Sequence, residues 1–208
     1  MVAYVFDKIL QQGVAAGEVP ARTRAARDWF RETASGFRTT PNELIRGAAE
    51  AEGGSALTGR TLPGRMYTFF YDPKTKRDLP YYDRFPLIFK IKNVSGGFLG
   101  INMHYLPPQL RARLMDALYP LVTNRKYDET TRLRLTYEIL NGATKYRFFK
   151  PTIKKYLNSH VRSRYVLINA NQWDMALFLP TERFVKKNKN FVWQESRKAI
   201  RRRRCLLI

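Results

Sequence analysis

Lys154 and Lys155 stand side by side, and Arg162 and Arg164 follow close behind. Later come Lys186, Lys187, Lys189, Arg197 and Lys198, and then Arg201, Arg202, Arg203 and Arg204 in an unbroken run. Cations gathered this way neutralise the phosphates of a polyanion and release its condensed counterions. The whole chain of 208 residues leans the same way, with 38 Lys plus Arg against 17 Asp plus Glu and a formal charge of +21. Residues 1–104 account for +5 of this and residues 105–208 for +16. A surface so lopsided repels itself until an anion lies against it. DNA, RNA, an anionic membrane or an acidic protein would serve.

Aromatic residues are interleaved with these bases: Tyr146, Phe148, Phe149, Tyr156, Tyr165 and Trp193. Rings beside cations suit the stacking of unpaired bases. They equally suit a core, which is the expectation for Phe148, Phe149 and Tyr156. Trp193 is the better candidate for stacking or for anchoring a protein partner. Tyr81, Tyr82, Phe85 and Pro107 lie in proline-rich loops and read as protein-interaction anchors.

Other chemistries find less support. The phosphate-cradling glycine loops are missing from the sequence. Two histidines, His104 and His160, and the single Cys205 cannot make a standard zinc set. No metal and no cofactor is therefore expected. A nuclease would need clustered carboxylates with a nearby lysine. Asp72-Pro73-Lys74, Asp78 and Asp83 offer that shape, but aspartate before proline is ordinary turn chemistry. The chain is read as not an enzyme. Cys205-Leu206-Leu207-Ile208 fits a prenylation box behind a polybasic run. The alternative is a basic tail that ends in these four residues by coincidence; separately, no apolar run approaches the roughly 20 residues needed to span a bilayer. Met1–Leu10 lacks the basic start and apolar core of a signal peptide. A soluble, intracellular protein is expected.

The elements that would position these side chains fall into three stretches. Residues 1–62 read as an N-terminal helical arm and linker. Ala25–Phe37 forms one helix in this reading, and Thr40-Pro41-Asn42-Glu43 is a capping box opening another. Gly53-Gly54-Ser55 marks the linker. Residues 63–185 read as an α+β core domain, a small antiparallel sheet or hairpin packed with several helices. Met66–Tyr71, Leu87–Lys92 and Phe98–Met103 are its strands, the last two joined at Ser95-Gly96-Gly97. Helices are expected from Pro107-Pro108, from Glu129 behind an Asp128 cap, and from Pro151 to about His160. Tyr165–Ile168 is a strand, and Asn171 caps a helix over Gln172–Leu179. Residues 186–208 carry nine bases and one acid and read as a basic C-terminal tail, disordered until neutralised.

Several strings also resemble a known family. They are Gly64–Lys74, Leu79-Pro80-Tyr81-Tyr82-Asp83-Arg84-Phe85-Pro86-Leu87, Gly97–Pro108, His160-Val161-Arg162-Ser163-Arg164 and Trp173–Pro180. Together, over about residues 60–185, they are similar to the DNA end protector proteins of T4-type myoviruses. The resemblance implies a minor virion protein at the end of the packaged genome, near the portal and neck. Such a protein shields the end from exonuclease in the host cytoplasm after injection and helps complete the head for tail joining. It supplies no catalytic residue.

The expected function is non-catalytic binding of double-stranded DNA ends by phosphate neutralisation, with phage portal, neck and tail proteins as further partners and no membrane. The alternative is a structural subunit of the neck, tail or baseplate whose basic surface meets acidic subunits.

Overall fold

A computed structural model describes residues 4–19, 23–51, 56–122, 124, 126–143 and 147–201. Gly53-Gly54-Ser55, Lys145, Tyr146, Arg202–Arg204 and Cys205–Ile208 lie outside the described residues. The fold is α+β: helices laid on a sheet that is antiparallel throughout.

Local chemistry starts most elements. Helix α1 is Val5–Ala15, α2 is Arg24–Gly36 and α3 is Pro41–Glu50. The Thr23 hydroxyl caps α2 by accepting from the Ala26 amide. Thr40 and Glu43 close the full capping box at α3, satisfying two amides that helix geometry leaves orphaned. Strand β1 is Leu57–Thr58, β2 Met66–Thr68, β3 Tyr82–Asp83, β4 Leu87–Val94 and β5 Gly97–Asn102. The β4–β5 hairpin turns at Ser95-Gly96, where Gly96 takes a φ of +73° that side chains rarely adopt. Helix α4 is Pro108–Val122, and α5 is Glu129–Ala143, with Asp128 Oδ1 accepting from the Thr131 amide at 2.6 Å.

Beyond α5 the chain departs from expectation. Residues 153–157 form strand β6, Ile153–Leu157, flanked by short 3₁₀ turns, where a helix from Pro151 was expected. The reason is tertiary: Tyr156 pairs with Phe98 and Lys154 with Gly100 along β5. Strand β7 is Tyr165–Ile168, as read from the sequence. Asn169, not Asn171, makes the capping box, reciprocally with Gln172, and leads into α6, Trp173–Phe178. Strand β8 is Phe184–Val185 and pairs with β3. Lys189–Arg201 is helix α7, in a stretch expected to be a disordered tail. Its Val192 is completely buried and Ser196 nearly so.

The main sheet runs β1-β7-β2-β4-β5-β6. Successive residues point to opposite faces. Met66, Phe89, Ile101, Val166 and Ile168 face the helices and share one core with Phe6, Ile9, Phe30, Leu44, Trp173 and Met175. Tyr67, Ile88, Phe98, Tyr156 and Tyr165 face the other way and form a second, aromatic core with Phe69 and Tyr71. Both sheet faces therefore carry a buried apolar cluster. Charged pairs lock the helices together: Arg31 reaches Asp174 at 2.7 Å and Asp116 at 3.0 Å, and Arg27 reaches Asp116 at 2.7 Å. These link α2 to α4 and α6. No helix among the described residues is long and apolar enough to cross a membrane.

Candidate nucleic-acid interface

The 72–82 loop leaves the main sheet after β2 and leads into β3, which pairs with β8 in a separate two-stranded sheet. It is held at both ends. The Asp72 amide donates to the His160 carbonyl at 3.0 Å, and His160 Nδ1 lies 2.8 Å from the Asp72 carbonyl. Lys76 bonds both Asp72 carboxylate oxygens at 3.0 and 3.1 Å, which holds that carboxyl below its ordinary range. Lys186 has a left-handed backbone (φ 71°) and drops its ammonium onto the carbonyls of Arg77 and Leu79, each at 2.7 Å. Strain of this kind persists only where surrounding contacts enforce it.

Between this loop and β6 lies a cavity of about 460 Å³. Tyr71, Tyr81, Tyr82, Tyr105 and Tyr156 line it, with Lys74 and Lys154. A second depression of about 470 Å³ shares Tyr71 and Tyr82 and adds Asp72, Lys76, Arg84 and Arg162. A run of three rings flanked by two lysines leads from α7 into the first cavity. Lys187 sits 4.8 Å from the Phe191 ring centroid; Phe191 meets Tyr81 edge-on at 6.2 Å; Tyr81 meets Tyr105 at 6.0 Å; and Lys154 sits 4.1 Å over Tyr105. Ring faces carry partial negative charge, so the Phe191 and Tyr105 rings favour the ammonium groups of Lys187 and Lys154. Burial lowers the Lys154 ammonium to about 8, because desolvation penalises its charged form.

Beneath the cavity lies a saturated polar core. Asp83 Oδ1 accepts from the amides of Phe85 (3.1 Å) and Arg183 (3.3 Å). Its Oδ2 accepts from Asn102 Nδ2 at 3.2 Å and lies 2.8 Å from His104 Nδ1. Asn102 also donates to the Tyr156 hydroxyl at 3.0 Å. Behind them the fully buried Arg111 meets Glu182 at 2.7 Å and donates to the carbonyls of Leu106 and Leu177. Burial would raise the Glu182 carboxyl, but His104 and Arg111 outweigh it and hold Glu182 at about 2. Every lone pair of Asp83 is committed to a structural donor, and Asp72 is tied to Lys76. Among the described residues no group of three His, Cys, Asp or Glu side chains could hold a metal ion.

The expected binding residues separate into groups. Lys154 and Lys155 both line the aromatic cavity, Lys154 half-buried and Lys155 exposed at its edge. Arg162 borders the second depression, and exposed Arg164 donates to the Leu57 carbonyl at 2.9 Å. Lys186 is occupied in holding the loop, and Lys187 joins the ladder. Lys189 lies 5.5 Å from the Trp193 ring, Arg197 is exposed, and Lys198 pairs with Glu195 at 2.9 Å on α7. Arg201 ends α7, and Arg202, Arg203 and Arg204 lie outside the described residues.

The expected protein anchors fare unevenly. Tyr81 and Tyr82 are half-exposed beside the cavity. Phe85 and Pro107 are buried, so neither offers a surface to a partner; Phe85 packs against Phe70 at 5.0 Å in the core. Trp193 donates its indole N–H to the His104 carbonyl at 2.8 Å and docks α7. Lys74, Lys76, Arg84, Tyr105 and Phe191 were missed as site residues. Of these only Lys74 enters the sequence reading as chemistry, within Asp72-Pro73-Lys74 as a nuclease-like shape.

A family model described as Phage T4 terminal DNA protecting protein matches residues 5–199. No curated protein and no solved structure matches the chain. The chain belongs to the family of the phage T4 terminal DNA protecting protein.

Proposed function

We propose that this member of the phage terminal DNA protecting family sits on the end of the packaged double-stranded genome and screens it physically, catalysing no reaction. Neutralised phosphates hold it there, with little reading of base sequence. In the virion it occupies the genome's end by the portal and neck and assists head completion and tail joining. After injection it shields that end from exonuclease in the host cytoplasm.

The observation that carries this reading is the run of three rings, Phe191, Tyr81 and Tyr105, flanked by Lys187 and Lys154, beside a depression edged by Lys76, Arg84 and Arg162. Rings and cations in one place fit a nucleic acid better than an acidic protein face, because bases stack on rings while phosphates meet ammonium groups. The test is anisotropy of labelled linear duplex against salt. If about six phosphates are contacted, log K falls against log salt with a slope near −5. Linear duplex also competes better than closed circles. A flat salt response defeats the reading, and tight binding to a neck or baseplate subunit without DNA affinity replaces it.

A further inference from the structure

We propose that the cavity between the 72–82 loop and β6 seats the terminal nucleotide of a DNA strand, with its phosphate on the Lys154 ammonium and its base against Tyr81 and Tyr105. The inference rests on the DNA-end reading and deepens it.

Lys154 is the first reason. Its ammonium lies over the Tyr105 ring at 4.1 Å, and no carboxylate among the described residues pairs with it. The nearest acid of the cavity lining, Asp83, is already saturated by His104, Asn102 and two backbone amides. A half-buried cation with no acid is a costly placement that an entering anion relieves. The second reason is shape. About 460 Å³ falls within the roughly 300–1,000 Å³ of small-ligand pockets. That is far too small for a duplex and suits one nucleotide drawn out of the stack.

The walls are rigid as well as aromatic. Tyr156 is fixed by Asn102, the Tyr71 hydroxyl accepts from the Leu157 amide at 3.1 Å, and Lys186 pins the loop. Tyr71 and Tyr156, held in place, give the cavity a preformed floor, which lowers the ordering cost of binding. Position along the strand follows from energetics: a terminal nucleotide is stacked on one side only and leaves the helix most easily. The adjoining depression, with Arg84 and Arg162 and with Lys76 paired to Asp72, continues the path for the phosphates that follow.

The experiment uses the full chain and blunt duplexes that differ only at the terminus: 5′-phosphate, 5′-hydroxyl, 3′-phosphate. One end carries 2-aminopurine as its last base. One phosphorylated terminus is expected to compete about tenfold better than its hydroxyl counterpart, the strength of a charged hydrogen bond. The 2-aminopurine emission changes on binding when the probe is terminal and stays constant when it lies well inside the duplex. Lys154→Met abolishes the phosphate preference and Lys154→Arg retains it. If Lys154→Met fails to fold, the wild-type end comparison and the 2-aminopurine signal decide alone.

Salt-dependent duplex binding that ignores the terminal phosphate and leaves terminal 2-aminopurine unchanged overturns the pocket and leaves the wider function standing. If no duplex binds at low salt, the wider function falls, and millimolar dAMP then tests the pocket directly. A rise in melting temperature that Lys154→Met loses upholds the pocket; no rise overturns it.

Discussion

The Trp193 indole donates to the backbone carbonyl of His104 at 2.8 Å, across 89 residues of sequence. That bond fastens α7 to the buried centre of the molecule, and the Arg111 guanidinium lies 5.5 Å from the same ring. Trp193→Ala is expected to lower stability by about 3 kcal/mol through lost packing. Trp193→Phe should lose about 1 kcal/mol, the share of the hydrogen bond. Urea unfolding of the two variants measures both. Equal stability of Trp193→Ala and wild type would detach α7 from the core.

Docking of α7 changes how the C-terminal charge should be tested. Removing everything from residue 186 would strip buried Val192 and half-buried Trp193 from the body as well as nine bases. Removing only residues 202–208 takes three arginines and leaves α7 in place. The salt slope of DNA binding should then become shallower by at most about 3, since each neutralised phosphate contributes about 0.9. An unchanged slope would mean those arginines meet no phosphate.

The Glu182–Arg111 pair predicts acid sensitivity. Glu182 has a folded pKa of about 2 against an ordinary value of 4.5. A depressed carboxyl stabilises the fold above its unfolded pKa, and that contribution is lost as pH falls through the folded value. Melting temperature should therefore drop between about pH 4.5 and pH 2. Burial pulls Arg111 below its ordinary value, yet guanidinium remains charged throughout this range. Glu182→Gln should lose about 3–5 kcal/mol at neutral pH, because a buried cation is left unpaired, and should flatten the acid limb. A variant with the wild-type melting profile would refute the pairing.

Lys154 predicts the opposite limb for DNA ends. In the free protein its ammonium titrates at about 8, so its charge is nearly complete at pH 6.5 and mostly gone by pH 9. Around it stand Lys74 of the loop, Lys155 of β6, Asp83 of β3, and the Tyr71, Tyr81, Tyr82, Tyr105 and Tyr156 hydroxyls. Burial raises the Tyr71, Tyr81, Tyr105 and Tyr156 phenols, so these stay neutral across the window. Preference for a phosphorylated end should fade as pH rises through about 8 and persist in Lys154→Arg. Competition binding at pH 6.5 and 9 checks this, and a pH-independent preference in wild type would exclude Lys154.

Gly97 gives a backbone test. A Cβ at this position would overlap the Tyr156 carbonyl oxygen on the neighbouring strand. Gly97→Ala should push β6 off β5, lower stability by about 2 kcal/mol or more, and loosen the Lys154 side of the cavity. Faster amide exchange at 153–157 reports the displacement. Wild-type exchange there would mean the strands tolerate the methyl group.

How much was legible depended on how local the cause was. The Thr40–Glu43 box, the Gly96 turn, the Asp128 cap and strand Tyr165–Ile168 are written in neighbouring residues, and each formed as read. Residues 153–157 carry apolar side chains at 153, 156 and 157, a helical spacing, but pairing with β5 overrode it. In α7 the density of lysine and arginine hid the Val192 and Ser196 stripe that buries against the body. The candidate site was least legible. Tyr81, Tyr105, Lys154 and Phe191 come from four distant stretches, and only the fold brings them together.

The sheet ends on β6, so one row of its backbone donors and acceptors faces no further strand among the described residues. Bare edges of this kind template stacking between molecules. Two adjacent lysines on that strand mean that copies approaching edge to edge bring like charges together. The lysines assigned to phosphate thus also guard solubility: a variant that neutralises both Lys154 and Lys155 would be expected to self-associate at concentrations the natural protein tolerates.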